Sequence, residues 1–161
     1  METANKYFIP IKLNNDIVVT YRTSPAHVGR LYHSVDFIAP LETPILAALD
    51  GEVVDLKLDS GIGGFGQEFD EHGNYIEIKH SNDEYSIYEH LRKNGGLVKI
   101  GDSVKAGQAI GYVGETGWMA DLGPHLHFNV HKYLNGNGPE DYEALKINWV
   151  DPPPNKENIT L

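Results

Sequence analysis

Apolar and polar residues in this chain fall into short alternating runs separated by Gly, Asn, Asp and Pro, the pattern of half-buried strands joined by turns. Phe8 to Leu13 and Ile17 to Tyr21 flank Asn14-Asn15-Asp16 and predict an amino-terminal hairpin. Ile45 to Leu58 predicts one or two strands around the turn Asp50-Gly51, and further strands are expected at Asn74 to His80, Tyr85 to Leu91, Val104 to Lys105, Ala109 to Val113 and His125 to Lys132. The one helical candidate is short, Pro139 to Leu145. Ser60 to Gly73 reads as a Gly-rich, acidic loop. Its glycines do not follow a strand into a helix, so it is no phosphate cradle but the wall or lid of a cleft. Regularly spaced short strands of this kind imply an all-β fold, an antiparallel sandwich or barrel. The length of 161 residues suits one such domain over residues 1–150, with 151–161, opening on three prolines, as an irregular tail.

Composition narrows the function. A net charge of -10 argues against nucleic-acid binding, which depends on Lys and Arg neutralising phosphates. The absence of cysteine excludes disulfides and thiolate metal sites. No stretch is long and apolar enough to form a transmembrane helix, and the opening Met1 to Phe8 lacks the basic and apolar regions of a signal peptide.

The candidate chemistry centres on Gly123-Pro124-His125-Leu126-His127-Phe128-Asn129-Val130. In a strand, His-x-His aims two imidazoles at one face while Leu126, Phe128 and Val130 take the other. Two converging imidazoles can form a metal site, a catalytic pair, or one member of each. Two further segments add donors: His90 ends Tyr85-Ser86-Ile87-Tyr88-Glu89-His90-Leu91, and Asp36 lies in Tyr32-His33-Ser34-Val35-Asp36-Phe37. A catalytic zinc ion takes three N or O ligands and leaves a fourth position for water, whose pKa it lowers to about 7. One carboxylate and two imidazoles would meet that need.

Several ordered stretches resemble the M23 family of zinc peptidases, the lysostaphin and LytM type that cut peptide bonds in bacterial cell-wall peptidoglycan. They run from about residue 32 to 130: His-Ser-Val-Asp-Phe, Thr-Pro-Ile-Leu-Ala-Ala-Leu-Asp-Gly-Glu-Val-Val, Gly-Asn-Tyr-Ile-Glu-Ile-Lys-His, Tyr-Glu-His-Leu, Gly-Asp-Ser-Val-Lys-Ala-Gly-Gln-Ala-Ile-Gly, and Gly-Glu-Thr-Gly through Gly-Pro-His-Leu-His-Phe. The resemblance implies a barrel-sandwich hybrid with long loops around a cleft, a Zn2+ cofactor, a peptidoglycan peptide as substrate and a cell-envelope or secreted setting. It also implies that Asp36 and His127 bind zinc while His90 and His125 are the unligated catalytic histidines.

One position departs from the pattern. The family's first zinc ligand is a His four residues before the Asp; ungapped, Tyr32 falls there, and His33 stands three before Asp36. In an extended segment His33 and Asp36 face opposite ways. Either a turn or bulge near Ser34 brings His33 in as third ligand, or Tyr32 has replaced the ligand and the chain is a degenerate module that binds a peptide or partner protein without hydrolysis. No His-Glu-x-x-His helix is present to supply a Glu base, so a histidine must serve. The sequence leaves both His125 and His90 open for that role, with His125, beside a proposed ligand, the first choice.

The remaining histidines read as structural: His27 and His72 as exposed imidazoles in polar or turn-rich stretches, His80 as able to face the cleft but not expected as a ligand because the closer set fills the shell, and His131 on the His127 face only if that strand continues. Tyr32 is expected to line the cleft. Gly101 to Gly111 also resembles the hairpin of lipoyl and biotinyl carriers, but no Asp-Lys-Ala or Met-Lys-Met tip is present, and a carrier leaves His90, His125 and His127 without a role. Substrate selection is assigned to loops such as Ser60 to Gly73 and Ala120 to Gly123.

Overall fold

Alternation of side chains governs the architecture. The computed structural model describes residues 1–21, 24–119, 122–135 and 141–154. Its strands are β1 (Val18–Thr20), β2 (Val35–Ile38), β3 (Pro44–Leu46), β4 (Gly51–Lys57), β5 (Gly63–Gly64), β6 (Tyr75–Lys79), β7 (Tyr85–Glu89), β8 (Ser103–Val104), β9 (Ala109–Tyr112), β10 (Gly117–Trp118), β11 (His125–Tyr133) and β12 (Tyr142–Ala144). Short 3-10 turns cover Gly29–Leu31, Gln67–His72 and Ser81–Asp83. The expectation of an all-β fold is borne out.

The main sheet runs β1-β2-β11-β7-β6-β4-β8, with β12 paired to the far end of β11, and every pairing in it is antiparallel. Leu126, Phe128 and Val130 of β11 point to one side with Val35 and Phe37 of β2, Tyr88 of β7, Ile76 and Ile78 of β6 and Val53 of β4, all buried. The antiparallel pair β3 and β9 closes this core from below with Ile45 and Ile110, joined by Ile11, Leu91 and Val113. A buried hydroxyl ties the layers together: Tyr88 Oη accepts the Ala48 N–H at 2.8 Å. The opposite face of the same strands carries Asp36, His125, His127, Asn129, His131, Glu89 and Glu77. β11 is long enough for His131 to share the face of His127.

Two sequence expectations are corrected. The turn at Asn14 forms, with Asp16 N–H on Asn14 Oδ1 at 2.8 Å, yet Phe8 to Leu13 does not pair with Ile17 to Tyr21. Val18–Thr20 adds instead to β2, where Val19 becomes buried, and Ile11 bridges to Ile45. The chain takes the partners that bury the apolar face of each segment. The helix expected over Pro139 to Leu145 is absent at Tyr142–Ala144, which is strand β12 against His131–Tyr133. A helix that short is marginal in isolation, so sheet pairing overrides it. Residues 136–140, 155–161 and 120–121 lie outside the described residues, and with them part of that helix, of the tail and of the Ala120 to Gly123 loop.

Gly61 to His72 forms a wall beside the polar face, through β5, the turn at Gln67–His72 and the parallel pairing of β5 with β10. A Cβ on Gly63 would overlap the Glu115 carbonyl, and one on Gly117, at φ +82°, would stand 2.7 Å from Gly73 Cα. Close approach of these backbones therefore requires glycine.

Candidate metal centre and active site

Register places the first donors. His127 pairs directly with Asp36 on β2 and with Glu89 on β7, so three polar side chains meet on one face. His127 Nδ1 lies 2.9 Å from Asp36 Oδ1, and His125 Nε2 is 3.8 Å from the same oxygen. Asp36, His125 and His127 are buried.

A third imidazole joins them, and it is not that of His33. His27, in the loop before the Gly29–Leu31 turn, puts Nε2 3.2 Å from Asp36 Oδ2 and 3.3 Å from His127 Nδ1. Its Nδ1 lies 2.7 Å from the Tyr21 carbonyl. A carbonyl only accepts, so Nδ1 carries the proton and Nε2 turns its lone pair to the group. His27 is buried, against the expectation of an exposed imidazole, because the chain folds this loop over the polar face of the sheet. His33 packs edge-on against Tyr32 and lines a separate cavity of about 690 Å³ with Tyr21, Tyr32, Trp149 and Pro153. Asp36 and His127 are not among that cavity's lining residues, so neither Tyr32 nor His33 faces the cleft. Ser34 starts the change of direction: its N–H bonds the Leu31 carbonyl at 2.9 Å, closing the Gly29–Leu31 turn, and β2 begins at Val35. That turn sends the two preceding side chains away from Asp36.

His27, Asp36 and His127 form a group able to hold a metal ion. Donors about 2.0–2.2 Å from one tetrahedral zinc stand roughly 3.3–3.6 Å apart, close to the 2.9 to 3.3 Å separations found here. Asp36 Oδ2 is buried and has no hydrogen bond of good geometry, an acceptor awaiting a positive partner. Burial works against ionisation of Asp36, yet the imidazoles of His127, His27 and His125 hold its carboxyl well below the usual carboxylate range. Burial likewise opposes charge on His127, but Asp36 and Glu89 outweigh it and raise its pKa. Both shifts say that a positive charge is favoured at the centre of the group. The donor set, two imidazoles and one carboxylate, suits zinc.

His90 and His125 flank this group with their rings 4.4 Å apart. His90 Nδ1 is 2.7 Å from the Thr116 carbonyl and His125 Nδ1 is 2.8 Å from the Gly123 carbonyl. Each must donate from Nδ1, which leaves both Nε2 atoms unprotonated in the neutral rings. Burial lowers the pKa of His125 and, with the charges of His125 and His127 added, lowers that of His90 further. His90 adopts φ +66°, a left-handed backbone that ends β7 and turns the ring inward. Such strain persists only where surroundings impose it. Here Gly114 N–H bonds the His90 carbonyl at 3.0 Å, and Thr116 Oγ1 donates to the Leu91 carbonyl at 2.8 Å. Buried Asn74 completes the frame, its amide donating to the Leu91 carbonyl at 3.1 Å and its backbone N–H to Thr116 Oγ1 at 3.0 Å.

Sequence reasoning thus reaches Asp36, His90, His125 and His127, which the fold brings together, and misses His27, Thr116 and Asn74. Asn74 and Thr116 lie in two of the stretches that resemble the family, but they act through backbone carbonyls, and their residue types alone mark no role at the site. For His27 the one available signal was the missing donor at Tyr32, which called for a histidine from some other segment. His80 faces away from the group, bonded to the Asp50 carbonyl and Ser86 Oγ, both at 2.8 Å.

The family model for peptidase family M23 matches residues 30–140. The chain is 41% identical over 99 residues to the peptidoglycan DD-endopeptidase ShyC of Vibrio cholerae, covering 62% of this chain and 20% of that protein. It is 36% identical over 121 residues to lysostaphin of Staphylococcus simulans, covering 73% of this chain and 22% of lysostaphin. An uncharacterised metalloprotease of Buchnera aphidicola is 37% identical over 145 residues, 87% of this chain and 33% of that one. The chain therefore spans a third or less of these relatives' length. Among solved structures, the catalytic domain of the prophage-encoded M23 protein EnpA from Enterococcus faecalis superposes with a TM-score of 0.57 at 28% identity, covering 84% of this chain and 92% of that domain. A zinc-containing peptidase from Vibrio cholerae gives 0.52 at 28% identity, covering 78% of this chain and 36% of that one. His27 precedes the matched segment, whereas Asp36, His90, His125 and His127 fall inside it, on a fold shared with these peptidases, and the chain belongs to peptidase family M23.

Proposed function

We propose that this protein is a zinc-dependent endopeptidase that hydrolyses a peptide bond in bacterial cell-wall peptidoglycan, with His27, Asp36 and His127 holding the metal and His90 and His125 catalysing proton transfer. The observation that carries this reading is the convergence of His27 Nε2, Asp36 and His127 Nδ1 within 3.3 Å of one another, beside two histidines whose Nε2 atoms are free to accept. Bound zinc would polarise the scissile carbonyl and acidify a water molecule. His125, nearer Asp36, accepts the proton of the attacking water at Nε2, its ring fixed by the Gly123 carbonyl. The proton that His125 takes from the water is the one returned to the departing amine, and His90, its ring 4.4 Å from that of His125 and its Nδ1–H tied to the Thr116 carbonyl, offers a second unprotonated Nε2 through which that proton passes. Desolvation lowers the pKa of both rings, which keeps them neutral and able to accept a proton near neutral pH.

The reading as a degenerate binding module rested on a missing third donor. His27 removes that motive. The test compares His27→Ala with His33→Ala. His27→Ala is expected to lose stoichiometric zinc on dialysis and elemental analysis, together with hydrolysis of peptidoglycan fragments, while His33→Ala keeps both. His125→Ala should retain the metal and lose activity by roughly a hundredfold or more, the usual weight of a general base. Full zinc in His27→Ala with depleted zinc in His33→Ala would reject the ligand set.

A further inference from the structure

A histidine that ligates through Nδ1 carries its proton on Nε2, and that buried N–H needs an acceptor. In His127 the Nδ1 edge faces Asp36 and His27, while Nε2 is buried and makes no hydrogen bond. The acidic group across from it is Glu89, its direct cross-strand neighbour on β7, with Oε2 3.6 Å from His127 Nε2. That separation is roughly half an ångström beyond a hydrogen bond. Asp36 cannot serve, because it sits at the opposite edge of the ring. The Glu89 side chain is 31% exposed, so it stands at the rim of the site while the imidazole it faces is 4% exposed.

We propose that Glu89 is a positioning residue, whose carboxylate accepts the Nε2–H of His127 and so fixes the tautomer and ring plane that present Nδ1 to the metal. This rests on the ligand set proposed above. Glu89 touches neither the metal nor the scissile bond; it acts through His127. Strand pairing makes the arrangement possible, since backbone bonds between β7 and β11 hold the two side chains on one face before any metal arrives.

Two conservative variants separate geometry from charge. Glu89→Gln keeps an acceptor oxygen at the same reach without the charge, and Glu89→Asp keeps the charge but withdraws the oxygen by one methylene. Zinc affinity is measured by competition with a chromophoric chelator, with the melting temperature of each metal-free variant as control. Loss of an outer partner to a metal-bound histidine typically weakens affinity about 10- to 100-fold. The expected order is wild type, then Glu89→Gln within a few fold, then Glu89→Asp and Glu89→Leu weaker by that factor, all melting alike without metal. Unchanged affinity in Glu89→Leu overturns the proposal, as does Glu89→Asp retaining affinity that Glu89→Gln loses, since charge alone would then matter. A raised KM with unaltered zinc affinity also overturns it, in favour of a substrate contact. Wild-type protein that takes up no zinc would instead defeat the ligand set itself.

Discussion

The two sides of the metal centre are built in different ways. His125, His127 and Asp36 stand on strands whose backbones are bonded on both flanks and whose other faces are sunk in the core, with Leu126, Phe128 and Phe37 fully buried beneath them. His27 stands on a loop rather than a strand, and among the described residues its neighbourhood is tied by local bonds: Ala26 N–H to Ser24 Oγ at 3.2 Å, His27 N–H to the Ser24 carbonyl at 3.1 Å, and the ring to the Tyr21 carbonyl. The strand side is preorganised by the whole fold. The loop side is positioned locally, and a metal bound between the two would cross-link them. Rigid donors fix the geometry of such a site, while the loop donor sets how far metal binding is coupled to local order.

The largest effect should come from attacking the support of the strand side. Phe128 lies directly beneath the polar face between His127 and Asn129, against Tyr88 at 5.1 Å and Trp149 at 6.0 Å between ring centroids. Phe128→Ala is expected to cost about 3–5 kcal/mol, read by urea denaturation of the metal-free protein. A loss under about 1 kcal/mol would mean the strand side is less dependent on its core than the buried face implies.

The same contrast explains what the sequence made legible. Alternation within His125-Leu126-His127 fixes faces by itself, because the period of a strand is two whatever the tertiary surroundings. The segment around Asp36 fell in line once its register was set against β11. His27 was not legible, since loop conformation follows from tertiary contacts and no periodicity points a loop imidazole inward. His33 misled for a local reason: after the Gly29–Leu31 turn the chain bends again, with Ser34 N–H on the Leu31 carbonyl, and Tyr32 and His33 line another cavity. The Phe8 to Tyr21 hairpin and the Pro139 to Leu145 helix failed because weak local preferences yielded to pairing with β2 and β11.

Removing zinc with a chelator should give an intermediate effect and place it on one side. Amide hydrogen exchange is expected to quicken in Ser24 to Ser34, with limited proteolysis cutting there, while β11, β7 and β6 keep their protection. Binding to the native state alone also predicts a higher melting temperature when zinc is restored, rising with free zinc concentration. Equal loosening of strands and loop would break the distinction between the two sides and make the metal a global staple instead.

The smallest effect concerns the strand side far from the metal. His80 is buried between the Asp50 carbonyl and Ser86 Oγ, and burial lowers its pKa from the ordinary 6.5, although the Asp50 carbonyl and the charges of Glu84 and Asp50 pull the other way. With the folded-state value depressed, the unfolded chain binds the proton first as pH falls. The stability His80 contributes is therefore fully present above about pH 6.5 and declines as pH drops below it toward the lower folded value. The slope from one such group is at most about 1.4 kcal/mol per pH unit. Zinc-loaded wild type and His80→Gln, compared by urea denaturation between pH 7.5 and 5.5, should differ in that direction, the variant losing less stability on acidification. Because both proteins share the metal centre, its own pH dependence cancels in the difference. A steeper loss in His80→Gln than in wild type would show that the buried ring takes up its proton more readily in the folded chain than in the unfolded one, and the strand side would then owe none of its acid sensitivity to His80.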